Sequence, residues 1–435
     1  MPKRPLDDVV LVIRGTVIDS PELTTLRVRT HAVLGVRAIG TVAFCEEGHT
    51  EPLSPGSSLV LREGGEVVLS RGCVIRDLPA RGFLCPGLVD THTHAPQFSF
   101  TGIGRGSLRQ RVEWPDEYDL QLLDWLNKYT FPSEAKFKDS AFAARVCRNA
   151  VARTLRNGTT SCMYFATIHT DAALQLGRIA SGMGQRAFVI PPRFVPTGSS
   201  ELMEGLAPIA PRPQLLESYA SCYDYPGLLG RRTVLAHGVY LGERDAPPRR
   251  FRDASETLPQ RHSQRHYLGE PNTPPLPSRA EGSRAATSPS SESERALLKS
   301  RGASVSHCPL SNMMLRSGML NALKVSNLVS LAEGRPGGGM WEPLSFTEAF
   351  HLATAAGARS LGVDGLTGDF STGSLFDAVV VDPEAPASPF ELYEGDGALA
   401  SFEKWMQLGD DRNTAEVYVQ GSRVFALKEG LWTSR

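Results

Sequence analysis

Nine residues constrain this chain more than any others: Pro86, Gly87, Leu88, Val89, Asp90, Thr91, His92, Thr93 and His94. They read as an apolar strand, a tight exit and two histidines one residue apart. Side chains alternate faces along a strand, so imidazoles at i and i+2 emerge on the same side and can reach one cation from rigid backbone. The spacing predicts a strand-borne metal site. Two strand-end histidines that only hydrogen-bond satisfy it equally well, because imidazole is also an ordinary half-buried side chain.

Size and charge narrow the surroundings of that segment. The chain has 435 residues, enough for one large barrel of about 250 residues and a smaller domain. Lys and Arg number 46 against 47 Asp and Glu, a formal net charge of −1. That balance argues against nucleic acid or a membrane surface as the main partner. Charges run through residues 1–20, and no apolar run of about 18 residues is found, so the reading is of a cytoplasmic protein without a signal peptide. The seven cysteines show no Cys-x-x-Cys spacing, and are expected to be buried small hydrophobes rather than a disulfide framework or zinc ribbon.

Periodicity divides the chain into three. Val9–Gly15, Thr25–Val28, Val33–Phe44 and Ser58–Leu69 are rich in Val, Leu and Thr and read as strands. Phe376–Asp382 has the same texture, and Glu416–Phe425 reads as two strands joined near Gln420 and Gly421. Two β-rich ends around an α/β middle predict a small β-sandwich built from both termini, residues 1–82 and 367–435, flanking a barrel domain over 83–366.

In the middle the period changes to 3.6. Ser133 and Glu134 open a helical stretch in which Phe142, Val146, Ala150 and Val151 share a face, and Gly158 stops it before a strand at Thr159–Phe165. Helix followed by strand is the unit of a parallel barrel. Ser345 and Glu348 form a capping-box pattern ahead of Ala349, Phe350, Leu352, Ala353 and Ala356. Barrel strands are expected at Phe83–Asp90, Thr159–Phe165, Ala187–Phe194, Thr233–Tyr240 and Ala303–Cys308, fewer than eight. From about Asp245 to Glu294 the chain is crowded with Pro, Ser, Arg and Glu, and a segment so poor in aliphatic residues is expected to be a disordered insertion. His262 and His266 within it receive no role.

The segment from Pro86 to His94 resembles the opening strand of the metal-dependent amidohydrolases, Pro-Gly-hydrophobic-hydrophobic-Asp-x-His-x-His. Within that superfamily the chain is similar to the guanine deaminase family. The likeness continues through Ala95-Pro96-Gln97-Phe98-Ser99-Phe100, then Leu122–Pro132, Arg193-Phe194, Ala236-His237-Gly238 and Ser306–Asn312. It implies a (β/α)8 TIM-type barrel that hydrolyses guanine to xanthine and ammonia, with a bound Zn2+ lowering the pKa of a water toward about 7. It further implies His92 and His94 as zinc ligands and His237 as the catalytic histidine that stabilises the attacked centre. Gln97 and Arg193 become contacts to the purine edge, His94 also faces the substrate, and Phe194 is an aromatic neighbour of the base. A Gln, an Arg and a Phe are residue types suited to a neutral purine, which is held by edge hydrogen bonds and stacking. The resemblance also implies a homodimer.

The likeness breaks at defined places. Such barrels carry a third ligand and an acid/base glutamate in a His-x-x-Glu strand, but residues 205–233 contain none, and Pro208, Ala210, Pro211 and Pro213 occupy that space. A metal-binding aspartate is expected between Val325 and Trp341, and that stretch contains none. Near Ile190 one strand start and another strand end are fused, and Arg105–Glu117 interrupts the match before Leu122. The barrel is therefore expected to be incomplete. A misassembled or alternatively spliced form that is catalytically dead and acts at most as a binding partner stays open beside the deaminase. So does a deaminase of another nucleobase or a triazine, and so does iron in place of zinc.

Overall fold

The computed structural model describes residues 8–61, 66–102, 126–190, 229–231, 233–236, 296–306, 344–427 and 431–432. The chain divides into two compact units, one of Met1–Phe194, Gly230–Val239 and Gly302–Arg435, the other of Val195–Leu229 and Tyr240–Arg301. Nearly all described residues belong to the first. The expected 245–294 insertion lies outside them.

Both ends of the chain enter one mixed sheet. Its strands are β1 (Val9–Glu22), β2 (Thr25–Arg37), β3 (Val42–Glu46), β6 (Val74–Asp77), β7 (Phe83–Pro86), β13 (Ala378–Val381), β14 (Thr414–Val419), β15 (Ser422–Ala426) and β16 (Leu431–Trp432). The order is β16-β15-β14-β13-β7-β1-β2-β3, with β6 running parallel to the start of β1. Alternating Val, Leu and Ile give each strand two apolar faces. On one face Leu11, Ile13, Leu34 and Val36 pack with Phe370, Phe376 and Tyr418. On the other, Val12, Val33 and Phe44 are covered by Leu59, Val67 and Leu69, from and beside a hairpin of β4 (Ser58–Val60) and β5 (Glu66–Val68).

The strand expected to end at Gly15 runs on to Glu22. Gly15 sits at a register shift between β1 and β2 with φ of +143°, so glycine there bends the strand without ending it. Gln420 (φ +48°) and Gly421 (φ +72°) make the tight turn expected between β14 and β15. The described free thiols Cys73, Cys85, Cys147 and Cys162 are buried and Cys45 is half-buried, as expected of small hydrophobes.

The middle of the chain is parallel. Strands β8 (Leu88–Thr93), β9 (Thr159–Phe165) and β10 (Arg186–Ile190) form a sheet in the order β10-β9-β8. Helix α1 (Ser140–Arg156) lies between β8 and β9 in sequence, and α2 (Thr170–Gly182) between β9 and β10. Val146, Ala150, Val151 and Leu155 of α1 and Leu176 and Ala180 of α2 bury one stripe of each helix against Cys162 and Tyr164. A second parallel pair, β11 (Val234–Ala236) and β12 (Ser304–Ser306), falls on two other expected strands. Helix α3 (Phe346–Ala353) starts with the expected capping box: Ser345 Oγ accepts from Glu348 N and the Glu348 carboxylate accepts from Ser345 N. It is followed by α4 (Ala355–Ser360) and, before β14, by α5 (Ala398–Leu408).

Two boundaries differ from the sequence reading. Helix α1 begins at Ser140, not Ser133, because the Asp139 carboxylate accepts from Ala141 N and Phe142 N, while Ser133 belongs to a separate short helix, Phe131–Ala135. Phe83–Asp90 is two strands rather than one. β7 pairs with β1 and β13 in the terminal sheet, and β8 pairs with β9 in the parallel sheet. The terminal sheet therefore reaches Pro86, past the boundary expected at residue 82. Gly87 is the crossing point: its N donates to Asp377 O at 3.0 Å, and a Cβ there would overlap the side chain of Thr160.

Candidate active site

The C-terminal ends of parallel strands are where side chains of α/β folds converge on ligands. Here β8 delivers His92 and, one residue past its end, His94. The pairing of β8 with β9 shifts register between Asp90 and Thr93, so the strand is irregular where the histidines leave it. Asp90 fixes that irregularity. Its Oδ1 accepts from His92 N at 2.9 Å, and its Oδ2 accepts a short hydrogen bond from Thr93 Oγ1.

The two imidazoles meet. Nε2 of His92 and Nε2 of His94 lie 3.1 Å apart, and the rings stand nearly perpendicular at 84° with centroids 4.7 Å apart. The same-face expectation for an i, i+2 pair is met. Two nitrogens at this distance either share one proton or face one cation. Two converging imidazole nitrogens are a donor set that suits zinc, so the pair could supply two positions of a metal shell.

Phe165, the last residue of β9, forms a wall beside both rings. Its centroid is 4.4 Å from that of His92 and 5.4 Å from that of His94. Sequence reasoning treated Phe165 only as a strand end. The signal lay in strand pairing: Thr93 stands opposite Tyr164 in parallel register, which sets the next residue of β9 beside the histidines.

Beyond His94 the chain enters a 3₁₀ turn, Ala95–Phe100, with Ala95, Pro96 and Phe100 buried. Gln97 sits on this turn half-buried, its N donating to His94 O at 3.1 Å, so it follows directly from the histidine pair. Thr91 Oγ1 and Ser306 Oγ are 2.7 Å apart and tie β8 to β12. The Cys162 thiol, buried on β9 with the Asp90 carboxylate nearby, is held well above the ordinary thiol range, first by burial. It serves as packing.

The structure thus brings His92 and His94 together, with Gln97 on the turn that follows. Arg193, Phe194 and His237 lie outside the described residues, as do residues 205–228 and 325–341, over which the third ligand, the acid/base glutamate and the metal-binding aspartate are expected. Among the described residues no group of three or more His, Cys, Asp or Glu is placed to hold a metal ion. Also among them, no helix is long and apolar enough to cross a membrane.

Residues 83–210 match the amidohydrolase family, whose members are typically metal-dependent. The chain is 30% identical to guanine deaminase of Mus musculus over 511 aligned positions, covering 96% of this chain and 97% of that protein. Since the chain has only 435 residues, that relative carries residues for which this chain has no counterpart. Among solved structures it resembles guanine deaminase from C. acetobutylicum with guanine bound (TM-score 0.63, 23% identity, 95% of this chain and 99% of that one). It also resembles an adenosine deaminase from Xanthomonas campestris with bound zinc (TM-score 0.56, 17% identity, 98% and 96%). Those likenesses carry the fold, and the extent of the sequence match carries the family: the chain belongs to the guanine deaminases of the amidohydrolase superfamily.

Proposed function

We propose that this chain hydrolyses the exocyclic amine of guanine, giving xanthine and ammonia in purine catabolism. The observation that carries the reading is the convergence of two imidazole Nε2 atoms, 3.1 Å apart, at the end of the first parallel strand of a chain matched to a guanine deaminase over nearly its whole length. His92 and His94 would hold the metal, zinc in this reading. When bound, such an ion lowers the pKa of its water to about 7 and so makes hydroxide available at neutral pH.

The chain's own residues prepare that chemistry. Asp90 holds the backbone of His92, so the imidazoles leave the strand in one orientation. Both rings serve as ligands in the neutral form, each offering an Nε2 lone pair. Gln97, on the turn that follows, supplies one donor and one acceptor to the purine edge. Arg193 adds a donor to that edge, Phe194 an aromatic face, and His237 a hydrogen bond to the attacked centre; these three assignments rest on the family motifs. A TIM-type barrel short of its full strand number, a β-sandwich from both termini, a cytoplasmic setting and a homodimer belong to the same reading.

A second reading has one observation in its favour. A catalytic zinc site has at least three protein ligands, and the sequence carries no His-x-x-Glu pattern in residues 205–233 and no aspartate in 325–341. A catalytically dead member of the family fits those gaps. Metal analysis of the purified chain, coupled to ammonia release with guanine, cytosine and adenine as substrates, separates the readings. Stoichiometric zinc and turnover of guanine are expected. Turnover of another base alone would redirect the substrate, and zinc-free, inactive protein would leave the dead member standing.

A further inference from the structure

We infer that Phe165 is a positioning residue, holding His92 and His94 with their Nε2 atoms converged before any ion binds. The inference deepens the metal-dependent reading above and rests on it. The torsion that turns an imidazole about its Cβ–Cγ bond has broad, shallow preferences, so side-chain rotamers alone do not aim two rings at one point. Contacts from outside must do so.

Phe165 is built for that contact. Its ring lies against His92 at 4.4 Å and 57° and against His94 at 5.4 Å and 33°, while the two imidazoles touch edge to face. Three rings in mutual contact leave each imidazole little room to turn, because rotating one drives its edge into another. The Phe165 ring is itself set by rigid backbone. It pairs with Ile190 of β10, and its neighbour Tyr164 is fully buried, hydrogen-bonded to Gln185 at 2.7 Å and Thr154 at 3.0 Å.

Phe165 is also absent from the main apolar core. Tyr164 belongs to the cluster formed with α1 and α2, whereas Phe165 is half-buried and faces the histidines. Its packing therefore contributes to the ligand pair more than to the fold. Outer-shell hydrogen bonds orient ligands in many metal sites, and here an aromatic face acts in the same sense.

The test uses the full chain, metal-free and then titrated with zinc against a chromophoric chelator. In the metal-free protein, nuclear Overhauser contacts from the Phe165 ring to both imidazoles and ring-current displacement of their carbon-bound protons are expected; absence of both overturns the inference. Phe165→Leu is expected to lose the displacement and to weaken zinc binding about 10–100-fold, the usual effect of removing an orienting neighbour. Phe165→Tyr, which keeps the ring, is expected to retain both. Unchanged zinc affinity in Phe165→Leu overturns the inference, as does an effect confined to the KM for guanine, which would assign the ring to the substrate. If the parent chain binds no zinc, the metal reading fails by itself. The imidazole signals then decide alone: displacement that persists in Phe165→Leu overturns the positioning role, and loss that Phe165→Tyr restores upholds it.

Discussion

His94 stands outside β8 yet closes the imidazole pair. Replacing it with Ala removes one of two converging nitrogens, so zinc content and ammonia release should fall by more than the roughly 10–100-fold seen when outer-shell groups are lost. Elemental analysis and a guanine assay check this. The pair itself was legible in the sequence, because a period of two fixes the face of each side chain. Phe165 was not legible: 71 sequence positions separate it from His94 by numbering alone, and only the parallel register of β8 and β9 brings the rings together. The roles proposed for Arg193, Phe194 and His237 rest on motif and not on geometry.

At the scale of elements, the α1–β9–β10 unit is joined by one buried side chain. Gln185, 3% exposed, accepts from the Tyr164 hydroxyl at 2.7 Å and donates to Thr159 O at 2.8 Å and Thr154 Oγ1 at 3.1 Å. Gln185→Ala leaves those groups without this partner in the interior, and should cost about 1–3 kcal/mol in urea unfolding. The strand Thr159–Phe165 was read to the residue because β-branched and aromatic side chains begin it right after Gly158 and fill it. The start of α1 is ambiguous in the sequence because Ser133 and Asp139 are both good cap residues. Only the observed Asp139 hydrogen bonds to Ala141 and Phe142 choose between them. Likewise an apolar run such as Phe83–Asp90 carries no mark of which sheet each half will join.

Across the whole molecule, Asp377 links what the sequence presents as separate regions. Its carboxylate, fully buried, takes a short ion pair with Arg186 of β10 and accepts from Thr367 Oγ1 at 2.9 Å and Gln420 N at 2.7 Å. Asp377→Ala strands the mostly buried Arg186 guanidinium and should destabilise the fold by about 3–5 kcal/mol, read as a lowered urea midpoint. A pH effect is expected from His351, whose Nδ1 donates to Ser20 O at 2.9 Å between α3 and β1. Burial holds its pKa below the ordinary value of 6.5. The unfolded chain therefore takes up a proton first as pH falls through about 6.5, and stability declines over that window and is level above it. Urea unfolding from pH 7.5 to 5.5 should show a smaller decline in His351→Gln than in the parent.

What the sequence determined by itself was local and periodic: the alternation that makes strands, the spacing that puts two imidazoles on one face, the capping box at Ser345, the turn at Gln420 and Gly421. Each depends on residues within a few positions of one another, where backbone geometry leaves few options. The tertiary structure decided what depends on partners distant in the chain. It split β7 from β8 at Gly87, set the order in which the strands of both termini pair within one sheet, and placed Phe165 against the histidines. Strand pairing and side-chain packing select among locally equivalent choices, and neither can be computed from a window of sequence.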